Sequence, residues 1–201
     1  MSTRLFIDGE NLRHYIEDVL KENRHKDKTI NDIELPKLLN NVLKGLKIND
    51  RTFYSAKLHI YQEYPKYIEK SKDLIRRQRI LKTKLEKNGF EFVISGHVRA
   101  FRVKVDGKEV VVFKEKGVDV KIAVDLVSNA CDKKVDTVVL CSSDSDLQPA
   151  VKEARARGLK IIYLGFEINP NKGLMYTTNR SIIIRNSEIL EALIRSSNIV
   201  H

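Results

Sequence analysis

The chain has 201 residues, 42% of them hydrophobic, and it carries a formal net charge of +10 at pH 7. This length is typical of one domain with a substantial core. The positive charge favours an anionic partner, although a protein that is merely basic and soluble is the alternative. Two cysteines exclude a disulfide scaffold, and a membrane span is excluded because no window approaches about 18 consecutive apolar residues.

The N-terminus and the cysteines narrow the class of protein further. Arg4 and Asp8 interrupt any apolar stretch at the N-terminus, so we expect no signal peptide and a cytoplasmic location. Cys131 and Cys141 both lie in apolar surroundings, which favours small buried thiols over a redox pair. The chain has no CxxC motif and no Cys/His ligand spacing, so a structural zinc site is not expected.

Apolar runs and amphipathic patterns alternate along the first half of the chain. Residues 5–7 predict a short buried strand, and apolar residues recur at helical spacing from residue 11 onward. The elements predicted next are a helix over 35–46, a strand over 52–60 and a long helix over 66–87.

A β-rich segment follows the long predicted helix. It contains two strands, 90–95 and 98–105, then the hairpin signal Asp106-Gly107 and a third strand over 110–113. We interpret this segment as a hairpin insertion, at about residues 90–114, that extends the edge of a sheet. Four apolar side chains predict one covered face of the hairpin: Val103, Val105, Val110 and Val112.

The second half of the chain again alternates helices with strands. Its predicted elements are a helix over 119–130, a strand over 138–141, a helix over 147–157, a strand over 160–165, a loop over 169–179, a strand over 181–185 and a helix over 188–195. Alternation of this kind is typical of a doubly wound α/β fold with a mainly parallel sheet. We therefore predict a single domain over residues 1–201.

Carboxylates recur where the predicted strands end. Asp8 ends the first apolar run, Asp144 and Asp146 follow the run 137–141, and Asp119 stands just ahead of a helical pattern. In a parallel α/β sheet the carboxyl ends of the strands form the edge where ligands bind. Carboxylates gathered at that edge suit a hard cation such as Mg²⁺. An acidic pocket in a basic protein therefore suggests a metal site that acts on a polyanion.

Each of these acids also has a purely structural alternative. Asp8 and Asp119 stand at helix starts, where a carboxylate caps free backbone N–H groups or is favoured by the helix dipole. Asp144 and Asp146 stand in a turn, where one could form an Asx-turn and the other a helix cap. Asn11 could hold a water or a phosphate oxygen, or could itself be an N-cap.

Three short segments resemble the signatures of the NYN domain, a PIN-like nuclease family. They are residues 6–11 (Phe-Ile-Asp-Gly-Glu-Asn), residues 116–120 (Lys-Gly-Val-Asp-Val) and residues 143–149 (Ser-Asp-Ser-Asp-Leu-Gln-Pro). Their order matches that of the family, and the resemblance spans roughly residues 4–166. It implies a Rossmann-like, three-layer α/β sandwich of the PIN-like type, with metal-binding acids at the C-terminal strand edge.

The resemblance also implies an activity. The better-understood family members are ribonucleases that depend on Mg²⁺ or Mn²⁺. By this analogy Asp8, Asp119, Asp144 and Asp146 are expected to bind the cation and to be catalytic. Family members often carry an aromatic residue where this chain has Leu147, and the hairpin is not part of the general pattern. The geometry of substrate binding is therefore left open.

Basic residues gather in one predicted helix. Residues 66–87 contain nine lysines and arginines and three acids, a net charge of +6. Such a stripe is able to follow a nucleic-acid backbone, and a solvated helix face is the alternative. The residues expected to contact the substrate are Asn11, Ser143, Lys116, Arg76, Arg77 and Arg79. For Ser143 a plain turn role serves equally well.

These observations favour a metal-dependent nuclease that hydrolyses phosphodiester bonds, with RNA preferred over DNA. The alternative is a non-catalytic nucleic-acid-binding protein that keeps the fold. A phosphatase or nucleotide-binding protein is disfavoured, because the chain has neither a GxGxxG nor a GxxxxGK[ST] loop. We expect no membrane partner, and the sequence leaves a homo-oligomer open.

Overall fold

The computed structural model describes residues 2–105 and 108–194, and seven strands in these ranges form one sheet. The strands are β1 (Thr3–Asp8), β2 (Asp50–Lys57), β3 (Phe90–Val105), β4 (Lys108–Lys116), β5 (Thr137–Cys141), β6 (Lys160–Phe166) and β7 (Arg180–Ile184). Their order across the sheet is β4-β3-β2-β1-β5-β6-β7. All neighbouring strands are parallel except β3 and β4, which pair antiparallel. The expected α/β fold with a mainly parallel sheet is therefore confirmed.

Helices cover both faces of this sheet. They are α1 (Gly9–Glu22), α2 (Leu35–Val42), α3 (Ile68–Glu86), α4 (Val118–Cys131), α5 (Gln148–Ala156), α6 (Lys172–Thr177) and α7 (Asn186–Glu191). One buried cluster joins the sheet to α1, α2, α3 and α7, and a second joins it to α4, α5 and α6. The result is three layers. No helix within the described ranges is both long and apolar enough to cross a membrane.

Strand β1 shows that the sheet is buried between two layers of helices. Leu5 and Ile7 belong to the cluster on one face, and Phe6 belongs to the cluster on the other. All three side chains are buried. A strand that is covered on both faces reads as a continuous apolar run rather than an alternating one, which is why residues 5–7 were recognisable as a strand from sequence.

The chain changes direction across the sheet at β1. It builds outward from β1 through β2 and β3, and it then returns to place β5 on the other side of β1. Ile7 pairs with Cys141 in this parallel β1–β5 ladder. The gap between the carboxyl ends of two such strands is a topological switch point, where open α/β sheets bind ligands. Asp8 and the turn after Cys141 therefore stand at that crevice.

Several predicted elements differ from the observed ones. The two strands predicted over 90–95 and 98–105 form one continuous strand, β3, although its register with β2 shifts between Ile94 and His97, where Gly96 lies. The loop predicted over 169–179 contains α6, whose six residues are too few to show a helical period. Helix α2 ends four residues before the predicted end.

Other predictions concern single residues. Cys141 is buried as expected, whereas Cys131 is exposed at the end of α4. The turn at Asp106-Gly107 and the predicted helix end at residue 195 lie outside the described residues.

The hairpin forms an arm that extends β3 and β4 beyond the rest of the sheet. Pairing between β2 and β3 ends at Lys57 and His97. Residues 98–105 and 108–115 then pair only with each other, and we call these residues the arm. The face predicted to be covered is open, since the side chain of Val110 is 39% exposed.

Two glycines fix the base of the arm. Gly96 and Gly117 both adopt positive φ, 67° and 96°. A Cβ atom on Gly96 would lie 2.1 Å from the backbone oxygen of Lys116. The backbones of β3 and of the β4–α4 connection therefore approach more closely than any side chain permits, and this approach sets where α4 begins.

We expect Gly96→Ala to destabilise the protein far more than Gly45→Ala. Gly45 also has positive φ, 89°, but a Cβ there meets nothing within 4 Å, so its substitution costs only the backbone strain of about 1–2 kcal/mol. At Gly96 the clash with a backbone oxygen adds about 1–3 kcal/mol. Urea unfolding of both variants measures the difference, and equal losses would contradict the close approach.

Candidate functional site

Asp8 occupies the end of β1 at the switch point, with only 2% of its surface exposed. Its Oδ1 accepts a hydrogen bond from the Asn11 backbone N–H (3.1 Å), which makes Asp8 the N-cap of α1. Its Oδ2 accepts hydrogen bonds from the Asn11 side-chain Nδ2 (2.5 Å) and from the Ser142 hydroxyl (3.2 Å). The capping role and an inward-facing carboxylate thus occur in the same residue.

Burial dominates the electrostatics of Asp8. Removal from water raises the pKa of its carboxyl, and the hydrogen bonds from Asn11 and Ser142 oppose this rise. The charge of Asp144 raises the pKa further, so the two carboxylates lie close enough to repel each other. A buried carboxylate beside a second one is stabilised by a nearby positive charge.

A chain of hydrogen bonds joins the ends of β1 and β5 to α6. The Asn11 side-chain oxygen accepts from the Ser143 hydroxyl and from the Ser143 backbone N–H (3.3 Å). Asn171 donates from Nδ2 to the Ser143 carbonyl (2.9 Å), and its Oδ1 caps α6 by accepting from the Leu174 N–H (2.9 Å). Sequence reasoning missed Asn171, although an Asn three residues before a buried Leu is an N-cap signal.

The turn after β5 carries the other two predicted acids. The Asp144 backbone N–H donates to the Ser142 hydroxyl (3.1 Å), and Asp144 Oδ1 accepts from the Asp146 N–H (2.8 Å). Asp144 is half-buried and caps the 3₁₀ turn Ser145–Leu147, whereas Asp146 is exposed. The structure therefore brings Asp144 close to Asp8 and leaves Asp146 in contact with solvent.

Asp119 lies in the first turn of α4, where it is half-buried. Glu115, near the end of β4, accepts a hydrogen bond from the Val118 N–H (3.1 Å) and so caps this helix. Burial raises the pKa of Glu115, and the charges of Asp8, Asp119 and Glu10 raise it further. Glu115 therefore lies near the predicted acids. Glu115 was not predicted as a site residue because it lies within a strand, whereas the predicted acids lie at strand ends or helix starts.

Glu10 is the one acid of this group with strong positive partners of its own. Burial alone would raise the pKa of Glu10, but hydrogen bonds from His14 and Arg13 lower it to about 2. Arg13 contacts Glu10 at 2.5 Å. Glu10 is therefore neutralised locally by α1.

The donor set at this edge consists of oxygen atoms from carboxylates, an amide and hydroxyls. Such donors suit Mg²⁺ or Mn²⁺, and Mg²⁺ commonly binds through one or two carboxylates while it keeps several waters. In residues 2–105 and 108–194, no group of three or more His, Cys, Asp or Glu side chains is arranged to hold a metal ion. Asp8, Asp119 and Asp144 thus share an edge without forming a closed cage.

The predicted substrate-binding residues fall into two places. Asn11 and Ser143 belong to the hydrogen-bond chain at the switch point, and Lys116 is exposed at the end of β4, next to Glu115. The three arginines Arg76, Arg77 and Arg79 lie on α3, which packs in the opposite layer from α4.

A pH series tests the electrostatic position of Glu115. Its raised pKa means that the folded protein holds this proton at a pH where the unfolded chain has lost it. The contribution of Glu115 to wild-type stability therefore falls as the pH rises from 4.5, the ordinary value, through the raised pKa. Glu115→Gln keeps an oxygen to accept from the Val118 N–H and never ionises.

We expect Glu115→Gln to match the wild type below pH 4.5 and to be more stable at neutral pH. Urea unfolding in EDTA at a series of pH values measures this. Glu109→Gln, at an exposed position of the arm, is the matched control and should show no such gain. A gain at Glu115 that does not depend on pH would contradict the assignment.

Comparisons with known proteins agree with the fold. A protein of unknown function from Vibrio parahaemolyticus has a similar solved structure, with a TM-score of 0.58 and 17% sequence identity, over 91% of this chain and 92% of that one. This likeness supports the fold alone. An uncharacterized protein of Methanocaldococcus jannaschii is 38% identical over 50 residues, which are 25% of this chain and 21% of that protein.

A family model matches nearly the whole chain. The NYN domain model aligns with residues 2–185. The match covers β1 through β7 and includes all four predicted acids.

Proposed function

We propose, from the premise that this chain belongs to the NYN domain family, that it hydrolyses phosphodiester bonds in RNA with the help of Mg²⁺ or Mn²⁺. The NYN domain is a nuclease-type domain. The observation that most supports activity in this chain is the buried Asp8 carboxylate at the switch point, whose pKa is raised by burial and also by the charge of Asp144. A buried titratable group with a charged partner at a ligand-binding crevice is typical of functional sites.

The cation would be held by oxygen atoms of Asp8, Asp119, Asp144 and Asp146. When bound, such a cation activates water as a nucleophile and stabilises charge on the phosphate oxygens. The mutual repulsion between Asp8 and Asp144 supports this assignment, because a bound cation would relieve it.

The side chains around these acids would orient them and the substrate. Asn11 and Ser142 hold both carboxylate oxygens of Asp8, so its carboxylate is fixed before any ligand arrives. Pre-oriented groups of this kind contribute to catalysis because they need not reorganise during the reaction. Lys116 would contact the phosphate as a positive charge. The Ser143 hydroxyl donates to the Asn11 side-chain oxygen, so it would contact the phosphate only by exchanging that hydrogen bond for one to the substrate.

A non-catalytic nucleic-acid-binding protein is the second candidate. It is favoured by two observations: Asp8 and Asp144 already serve as caps, and the described acids do not form a closed three-ligand group. In this case the carboxylates stabilise the fold, and the basic surface binds the nucleic acid without cleavage.

Cleavage assays separate the two candidates. End-labelled single-stranded RNA, and DNA of the same sequence, are incubated with the protein in Mg²⁺, Mn²⁺ or EDTA. We expect RNA cleavage that requires the cation. Asp8→Asn and Asp144→Asn should each lower the rate at least about a hundredfold, the scale seen when one charge-stabilising group is lost, while RNA binding in EDTA stays intact.

Asp50→Asn is the matched control. Asp50 opens β2 at the opposite edge of the sheet and pairs with Arg4 at 3.1 Å, so the same chemical change there should leave the cleavage rate unaltered. Cleavage that persists in both site variants would overturn the nuclease proposal. RNA binding without cleavage in any cation would favour the binding protein.

A further inference from the structure

The arm has two faces that differ in what covers them. Residues that stand directly opposite each other in an antiparallel ladder lie on the same face, and successive residues alternate between faces. Ala100 pairs with Phe113, and Arg102 pairs with Val111, so these four residues share one face. Glu115 and Glu109 also belong to this face, opposite Val98 and Lys104.

The face that contains Phe113 is anchored to the segment after β2. The rings of Tyr61 and Tyr67 contact the Phe113 ring, with centroids 4.8 and 5.0 Å apart. The Arg102 guanidinium lies 5.8 Å from the centre of the Tyr64 ring. These tyrosines therefore hold the arm in place, instead of standing free to stack on bases.

The opposite face of the arm is open. Its pairs are Arg99 with Lys114, Phe101 with Val112 and Val103 with Val110. Arg99 and Lys114 are exposed, and the Phe101 side chain is 37% exposed. We call these six residues the open face. It presents two cations and an aromatic ring, whereas the carboxylates among the arm's described residues lie on the anchored face.

The cations of the open face keep their positive charge, whereas several on α3 are neutralised by nearby acids. Arg99 donates a hydrogen bond from Nε to His97 Nε2 (2.5 Å), which occupies one of its N–H groups and leaves the others for a phosphate. Among the described residues, no side-chain ion pair within 4.0 Å involves Arg99 or Lys114. On α3, Arg76 and Arg77 both pair with Asp73, at 2.9 and 2.6 Å. The charge that the sequence concentrates in α3 is thus partly neutralised within the helix.

The open face also leads toward the candidate site. Lys116 follows the arm directly, and Asp119 lies three residues further on, at the start of α4. The close approach of Gly96 and Gly117 fixes this connection. A strand of nucleic acid on the open face would therefore enter beside the acids.

We propose that the open face of the arm binds a single-stranded segment of the nucleic-acid substrate. Arg99 and Lys114 contact its phosphates, and Phe101 stacks on an unpaired base. An aromatic ring beside cations suits single strands, whose bases have free faces, better than a duplex, whose bases are stacked on each other. The proposal rests on the proposed function for the identity of the substrate, but it concerns binding and not cleavage.

Binding in EDTA tests the proposal apart from catalysis. The probe is a fluorescein-labelled single-stranded RNA, and anisotropy gives its Kd over a series of salt concentrations. Arg99→Gln/Lys114→Gln should raise the Kd at least about tenfold. It should also reduce the salt slope by about 1.4, since each lost phosphate contact on a single strand removes about 0.7.

Arg180→Gln/Lys160→Gln is the matched control, at the starts of β7 and β6. Both of its side chains are exposed, and the pair removes one arginine and one lysine, as the arm variant does. We expect less than a threefold change in Kd. Equal weakening by the two double variants, or stronger weakening by the control, would overturn the proposal. Thermal unfolding by circular dichroism verifies that both variants remain folded.

Phe101→Leu tests the stacking contact separately, because leucine keeps an apolar side chain on the open face. We expect it to raise the Kd for the single strand about fivefold or more, with no change in the salt slope and little effect on an annealed duplex. An unchanged Kd together with a changed oligomeric mass in light scattering would identify the open face as a protein contact and overturn the proposal.

If the arm variant loses binding while the wild type cleaves nothing, the arm proposal stands and the nuclease proposal fails.

Discussion

The burial of one carboxylate governs how this protein is built around its crevice. Placing Asp8 at the end of β1 with almost no exposed surface is costly unless its oxygens are satisfied. Asn11 and Ser142 supply those hydrogen bonds, and they come from the next helix and from the turn after β5, 134 residues away in the chain. The requirement to satisfy Asp8 therefore ties β1, α1 and the β5 turn into one polar unit.

This polar unit extends outward to elements that carry no predicted chemistry. Asn11 contacts Ser143, and Asn171 contacts the Ser143 carbonyl while it caps α6. On the other side of the crevice, Glu115 caps α4 and responds to the charges of Asp8 and Asp119. The same carboxylates thus act as caps and concentrate negative charge at one edge. The two roles are compatible, because a capping carboxylate still has lone pairs free for another partner.

The contrast between this edge and the rest of the surface is electrostatic. The chain has an excess of ten positive charges, yet the buried Asp8 and the half-buried Glu115 and Asp144 lie together near the switch point. On α3, residues three and four apart face each other, so Asp73 neutralises Arg76 and Arg77. On the arm, the alternation of side chains along each strand places Arg99 and Lys114 on the face opposite the two carboxylates Glu109 and Glu115. Whether a basic side chain can contact a polyanion thus depends on the spacing of side chains in its helix or strand, because that spacing decides whether an acid lies beside it.

The sequence alone determined the elements that bury continuous or periodic apolar patterns, and it located the acids at strand ends. Burial could be predicted for residues 5–7, which form a continuous apolar run, and for Leu12, Ile16 and Val19, which recur at helical spacing. In both cases the order of apolar residues within one segment indicates which of its sides are covered. Asp8, Asn11, Ser143 and Asp144 could be chosen for the same reason, since each follows such a segment immediately. The resemblance to the NYN domain was also local, being carried by three short motifs.

Only the tertiary structure decided which segments became neighbours. The pairing of β1 with β5, the approach of Glu115 to Asp8 and the hydrogen bond from Asn171 to Ser143 join residues far apart in the chain. The valines of the arm show most clearly what could not be predicted from the sequence alone. Their alternation correctly predicted strands, but it could not tell that tyrosines after β2 would cover the other face. An apolar pattern depends on the residues of one segment, whereas a contact depends on the residues of two segments that the fold brings together.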